Sequence, residues 1–255
     1  LGDVYKRQDM NQSFDQLRTS IPSMQRMTNQ QIMGMMKMMG PNYYWPVSNQ
    51  GSVNNGVLIM AHGYGPGGDQ DLFDSAHSVG MIYQTTLSMG MSMMTSSHVI
   101  CSVNEMIHND VEKIFVVPVS STAHNTLVRQ WNYIFGLEEN YAYAEVEQIN
   151  NEKIVMLDPI SDDLYAKKII LEYTNEISSD PSNEVLIIIA HGPIDEVDNN
   201  IELDLMNNIG DYIKQHTSIK TVMAFTLQDD APKEIRDRNL DNIKTFIRTS
   251  NEEGK

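Results

Sequence analysis

The chain has 255 residues, an ordinary apolar share of 41% and a formal net charge of −16. That length holds one large domain or two of roughly 100–130 residues, and the acid excess argues against a nucleic-acid backbone as the main ligand, which needs clustered Lys and Arg. No apolar run approaches the ~20 residues of a membrane-spanning helix, and the lone Cys101 excludes intramolecular disulfides and multi-cysteine zinc or iron–sulfur sites.

Residues 1–8, LGDVYKRQ, read as an adapter sequence and not as the start of a domain. No secretory signal is visible at the start as given. Compartment therefore stays open: cytoplasmic is the first expectation, periplasmic the alternative if an export signal preceded the chain. Residues 9–55 form an extension rich in Met, Gln and Asn, with seven methionines between Met24 and Met39. Met has good helix propensity, and Gly40-Pro41 is a helix stop. Thioethers suit Cu(I). They also suit loose helix packing, the favoured reading here. The following NYYWP reads as an extended segment packing on the next domain.

From residue 56 strands and helices alternate. GVLIMAHG (56–63) is a continuous apolar run, as in a strand buried on both faces. Residues 69–81 form a helix with Asp69 as N-cap. Residues 83–91 are a weaker strand, 96–110 a helix with a capping serine, 113–120 a strong strand and 122–136 a helix closed by Gly136. Then come a strand at 152–161, a helix at 162–177, a turn at 181–183 and the strand EVLIIIAHG (184–192). A helix at 199–216, a strand at 219–228 and a helix at 231–250 complete the chain, with Pro232 near the last helix start. Cys101, on a helix, reads as a small buried apolar residue. The pattern predicts an α/β fold with parallel sheets covered by helices. The AHG ending recurs at His62 and His191, about one domain length apart. This organises the chain as two tandem units, 56–150 and 151–255, the second expected to be incomplete.

In open parallel sheets ligands sit beyond the carboxyl ends of the strands. His62 ends one strand there, and His124 follows the strand 113–120 by a short loop. Imidazole binds Co, Ni, Fe or Zn at neutral pH and accepts protons in the cellular range. His77, His98, His108 and His216 fall on helices and read as surface residues, with His98 nearest the same edge. Gly63-x-Gly65-x-x-Gly68 matches a dinucleotide fingerprint in form only: no acid ends the next strand, and no P-loop Lys or G-x-S-x-G elbow is present. These glycines let backbone approach a bulky ligand or make the turn.

LIMAHG, KIFVVPVSSTAHN, IIIAHGP and the duplicated layout together resemble the class II chelatase family, the sirohydrochlorin cobaltochelatases and ferrochelatases of cobalamin and sirohaem synthesis. The resemblance covers residues 56–255. It implies two flavodoxin-like units facing each other across a tetrapyrrole cleft, with metal-binding and catalytic histidines at His62 and His124. Gly63, Gly65, Ser120 and Ser121 are the matching positions for contact with the macrocycle. The ion, Co2+ or Fe2+ with Ni2+ as alternative, is a substrate. The implied partners are the tetrapyrrole and the metal, and a homo-oligomer is left open. His191 is vestigial or auxiliary. The family's acidic residue in the second strand–helix connection is absent, and Met89, Met91, Met93 and Met94 occupy that stretch. Two readings follow: a metal-inserting lyase, or a non-catalytic metal-binding or metal-delivery protein on the same fold. A hydrolase or phosphatase using His62 ranks below both, for want of a nucleophile motif.

Overall fold

A helix absent from the sequence reading opens the structure, a computed structural model that describes residues 7–48 and 52–252. Residues 1–6 of the suspected adapter stretch lie outside the described residues. Helix α1 (Arg7–Ser20) is polar except for Met10, Phe14 and Leu17, and the last two are buried. Their i, i+4, i+7 spacing is helical, and the run of Gln, Asn and Ser around them masked it. The methionine-rich segment is a 3-10 turn (Pro22–Met24) and a separate helix α2 (Asn29–Met38). Thr28 and Gln31 start α2 as a reciprocal capping box, and Gly40, at φ +91°, stands just past its end.

Strand β1 (Tyr43–Ser48) carries YYWPVS, and β2 (Ser52–Ala61) the first long apolar run. Helix α3 (Gly65–Gly80), β3 (Tyr83–Met89), α4 (Ser97–His108), β4 (Lys113–Pro118), α5 (Thr126–Ile134) and β5 (Ile154–Met156) follow. The five strands form one sheet in the order β1-β3-β2-β4-β5. All neighbours are parallel except β1, which runs antiparallel to β3. The NYYWP segment is therefore an edge strand of this sheet. Its Trp45 stacks on Phe73 of α3 with ring centroids 4.0 Å apart. Parity along β2 places α3 and α4 on opposite faces. Ile59 and Ala61 pack with Ala76, Leu87 and Met89 on one side, while on the other a Cβ at Gly56 would stand 2.8 Å from Met106 Sδ.

The chain forms two compact units. The first runs to Ser20 and then over Met24–Pro159; the second takes Ile21–Ser23 and the chain from Ile160 onward. The boundary thus falls later than residue 150, and the extension 9–55 is largely built into the first unit. The reason is pairing: Ile154, Val155 and Met156 oppose Ile114, Phe115 and Val116 of β4, so the strand expected to open the second unit closes the first sheet. The second unit holds α6 (Leu164–Ile177), β6 (Val185–Ala190), α7 (Glu196–His216), β7 (Thr221–Thr226) and α8 (Lys233–Glu252), with β6 and β7 parallel. No helix among the described residues is long and apolar enough to cross a membrane.

Four local expectations are corrected. Asp69 does not cap α3, which begins four residues earlier with Pro66 in its first turn. Ser96 precedes α4, but its hydroxyl donates to the Glu147 carbonyl and accepts from no amide of the helix. Cys101 is exposed, and His98 is buried. The face of α4 that meets the sheet holds His98, Val99, Ser102, Val103 and Met106, which turns Cys101 outward.

Candidate metal-handling rim

The histidine positions follow from strand pairing. β2 and β4 are hydrogen-bonded parallel neighbours, with Met60 opposite Pro118. Beyond the paired residues the Val119 amide still donates to the Met60 carbonyl, and the Gly90 amide to the Ala61 carbonyl, each at 2.8 Å. His62 is the next residue after this anchored backbone. His124 lies in the loop from β4 to α5. Both are exposed and both leave the same edge of the sheet, on adjacent strands.

A network behind His62 fixes its loop. Gly63 adopts φ +95°, which turns the chain sharply after the strand. The Tyr64 ring packs against the His62 ring at 4.6 Å between centroids. The Tyr64 amide donates to Asp69 Oδ1 at 2.6 Å, and the Tyr43 hydroxyl donates to Asp69 Oδ2 at 2.8 Å. Asp69 is buried, 8% exposed. Burial, then the hydrogen bond to Asp69 and its charge, push the Tyr43 phenol up to about 12, so Tyr43 stays a donor at any physiological pH. Tyr64 is raised in the same direction, by burial first and then by the Asp69 charge. Asp69 is thus a carboxylate under the His62 loop, reached from α3 and not from the second connection. A carboxylate a few residues after a glycine loop was its only sequence signal, and it read as a cap.

The His124 loop is held by its own polar groups. The His124 amide donates to Thr122 Oγ1 at 3.1 Å. Ser120 Oγ donates to the Thr122 carbonyl at 3.1 Å and accepts from Asn125 Nδ2 at 2.6 Å. Asn125 also caps α5 by accepting from the Val128 amide at 2.9 Å. Ser120 is therefore engaged in shaping the loop, while Ser121 and Gly65 are exposed beside it and beside His62 respectively. His77, His108 and His216 are exposed. His191 directly follows β6 in the second unit, its Nε2 3.8 Å from Asp230 Oδ2. Among the described residues no three His, Cys, Asp or Glu side chains cluster as a ready-made metal cage.

No protein-family model matches the chain, and no curated protein matches it. Among solved structures it is similar to SirB from Bacillus subtilis with Fe3+, at a TM-score of 0.50 and 14% identity over 69% of this chain and 66% of that one. The chain spans about two thirds of that structure's length. The likeness shows the fold: a chelatase-like α/β architecture with a mostly parallel sheet.

Proposed function

We propose that this chain inserts a divalent metal, Co2+ or Fe2+ with Ni2+ as the alternative, into a sirohydrochlorin-type tetrapyrrole. The observation that carries the reading is the delivery of His62 and His124 from hydrogen-bonded neighbouring strands to one edge of the sheet. The fold of SirB, whose structure holds Fe3+, supports it. In the reaction the metal-free macrocycle and M2+ give the metal complex and two protons, because two pyrrole N–H bonds break as four nitrogens take the ion. His62 and His124 hold the incoming ion as neutral imidazoles. Such ligands capture the metal yet release it to four pyrrole nitrogens, which a thiolate cage would not. Once it has released the ion, one of the two imidazoles takes one pyrrole proton, and the other proton leaves to solvent. The Tyr43–Asp69–Tyr64 network orients the His62 loop, and the Gly63 and Gly65 backbone leaves room for the macrocycle to approach.

The test is direct. The full chain is incubated with sirohydrochlorin and each ion, and the macrocycle absorbance is followed. Turnover that disappears in His62→Ala and in His124→Ala supports the reading. Stoichiometric metal uptake with an unchanged macrocycle spectrum selects the non-catalytic metal-binding alternative.

A further inference from the structure

The carboxyl edge of the first sheet also gathers a group of methionines that the histidine chemistry does not use. β1 runs antiparallel, so its start, not its end, lies at this edge: Tyr43 is opposite Met89. The end of α2 and the loop after β3 meet here. Met36, Met39, Gly40, Asn42, Met91 and Met93 line one cavity of about 20 Å³. Across the edge, this pocket is followed by the end of β2 with His62, then by the β4 loop with His124. The pocket borders the His62 loop directly, since a Cβ at Gly63 would stand 3.9 Å from the Met39 carbonyl oxygen.

The loop that supplies two of these methionines is held in an uncommon shape. Ser92, between Met91 and Met93, has φ +53°, a left-handed conformation that a serine seldom adopts. Its hydroxyl shares a 3.1 Å hydrogen bond with Nε2 of the buried His98. Its carbonyl accepts from Nε2 of the buried Gln130 at 3.3 Å. Gly90 just before it has φ +125°, and a Cβ there would overlap Asn42 Oδ1. These buried partners hold the strained backbone in place and so fix the path of the chain through Met91 and Met93.

Helical periodicity by itself favours packing as the role of these methionines. The cavity argues otherwise. Four methionines from two distant segments line one small cleft, where packing alone would call for no convergence of thioethers. The space opens to solvent, and four of its six lining residues are methionines, the others being Gly40 and Asn42. The enclosed part of the space, about 20 Å³, accommodates a single ion. Neutral sulfur donors bind soft monovalent ions and bind Co2+, Fe2+ or Mg2+ weakly.

We propose that Met36, Met39, Met91 and Met93 form a Cu(I) site at this edge, separate from the His62–His124 pair and independent of the insertion reading. The test uses the full chain, titrated anaerobically with Cu(I) against a chromophoric Cu(I) chelator. Wild type is expected to take up one Cu(I) per chain, with a sulfur-dominated shell in its copper X-ray absorption spectrum. The volume-conserving variant Met36→Leu/Met39→Leu/Met91→Leu/Met93→Leu should lose roughly a hundredfold or more in affinity while keeping its far-ultraviolet circular dichroism. Met33→Leu/Met38→Leu, at exposed methionines outside the lining, should bind as wild type. If the quadruple variant does not fold, Met39→Leu/Met91→Leu takes its place with the same expectation. No competition for Cu(I) by wild type, equal loss in Met33→Leu/Met38→Leu, or a nitrogen-dominated shell abolished by His62→Ala would each overturn the proposal.

Discussion

The tripeptide Ala-His-Gly closes β2 in the first unit and β6 in the second, and its surroundings differ in each. β2 is paired on both sides, by β3 and β4; β6 pairs with β7 alone among the described residues. Ile59 of β2 is 7% exposed, whereas Ile189 of β6 is 50% exposed. The His62 ring rests on Tyr64, while His191 donates from Nδ1 to the Gly192 carbonyl at 3.1 Å and faces Asp230. The neighbouring strand makes the difference. β4 sends a second histidine toward the same edge, and β7 sends a carboxylate. A short motif places an imidazole at a sheet's rim; the strand beside it decides what that imidazole can do.

The largest expected effect breaks this symmetry outright. His62→Ala should lower metal-insertion turnover by on the order of a hundredfold or more, and His191→Ala should leave it within about twofold. Equal losses in the two variants, measured by macrocycle absorbance, would make the motif itself the functional unit and remove the role given to the neighbouring strand.

Acid stability separates the units next. Burial pulls the His98 imidazole down to about 4 from its ordinary 6.5. Above pH 6.5 His98 is neutral in both the folded and the unfolded chain. Between 6.5 and about 4 the unfolded chain binds the extra proton, so stability falls with falling pH across that window. The loss at its lower end is about 3 kcal/mol. Both tryptophans, Trp45 and Trp131, lie in the first unit, so urea unfolding followed by tryptophan fluorescence reads that unit alone. His98→Gln should flatten the decline, and a decline identical to wild type would assign it to carboxylates instead.

Much of the fold was legible because it is written in local pattern. VLIMA, IFVVP and VLIIIA are β-rich runs, and the helices between them carry apolar residues at helical spacing. The rim histidines were legible because a strand's end and a sheet's edge coincide. What escaped depends on partners distant in sequence. β3 looked weak because Gln84, Thr86 and Ser88 are polar, yet its burial comes from lying between β1 and β2. β5 joined the first sheet because β4 offered a free edge, which no local signal announces. Asp69 read as a cap because caps are common before helices; its real partners, Tyr43 and Tyr64, come from β1 and the loop before α3. The thioether pocket needs residues 36–42 and 91–93 side by side, and only the antiparallel pairing of β1 achieves that.

The two carboxylates near the two motifs give the finest contrast. Asp69 accepts two short hydrogen bonds in a buried setting, so Asp69→Ala leaves the Tyr43 hydroxyl and the Tyr64 amide without their acceptor and should cost about 2 kcal/mol in denaturant unfolding. Asp230 behaves differently. Burial raises its carboxyl, only partly offset by His191 and by a 3.4 Å hydrogen bond from Ser23 Oγ. A carboxyl raised in the folded state favours folding when protonated, so its ionised form weighs against the folded chain at neutral pH. With 35% of the side chain exposed, solvent screening keeps that penalty small. Asp230→Asn keeps the shape and the Ser23 contact and should therefore be neutral or slightly stabilising at pH 7, the advantage fading as pH falls into the carboxylate range. Clear destabilisation at pH 7 would mean that the His191–Asp230 pair is a working ion pair, and the second motif would then share more with the first than its geometry gives it.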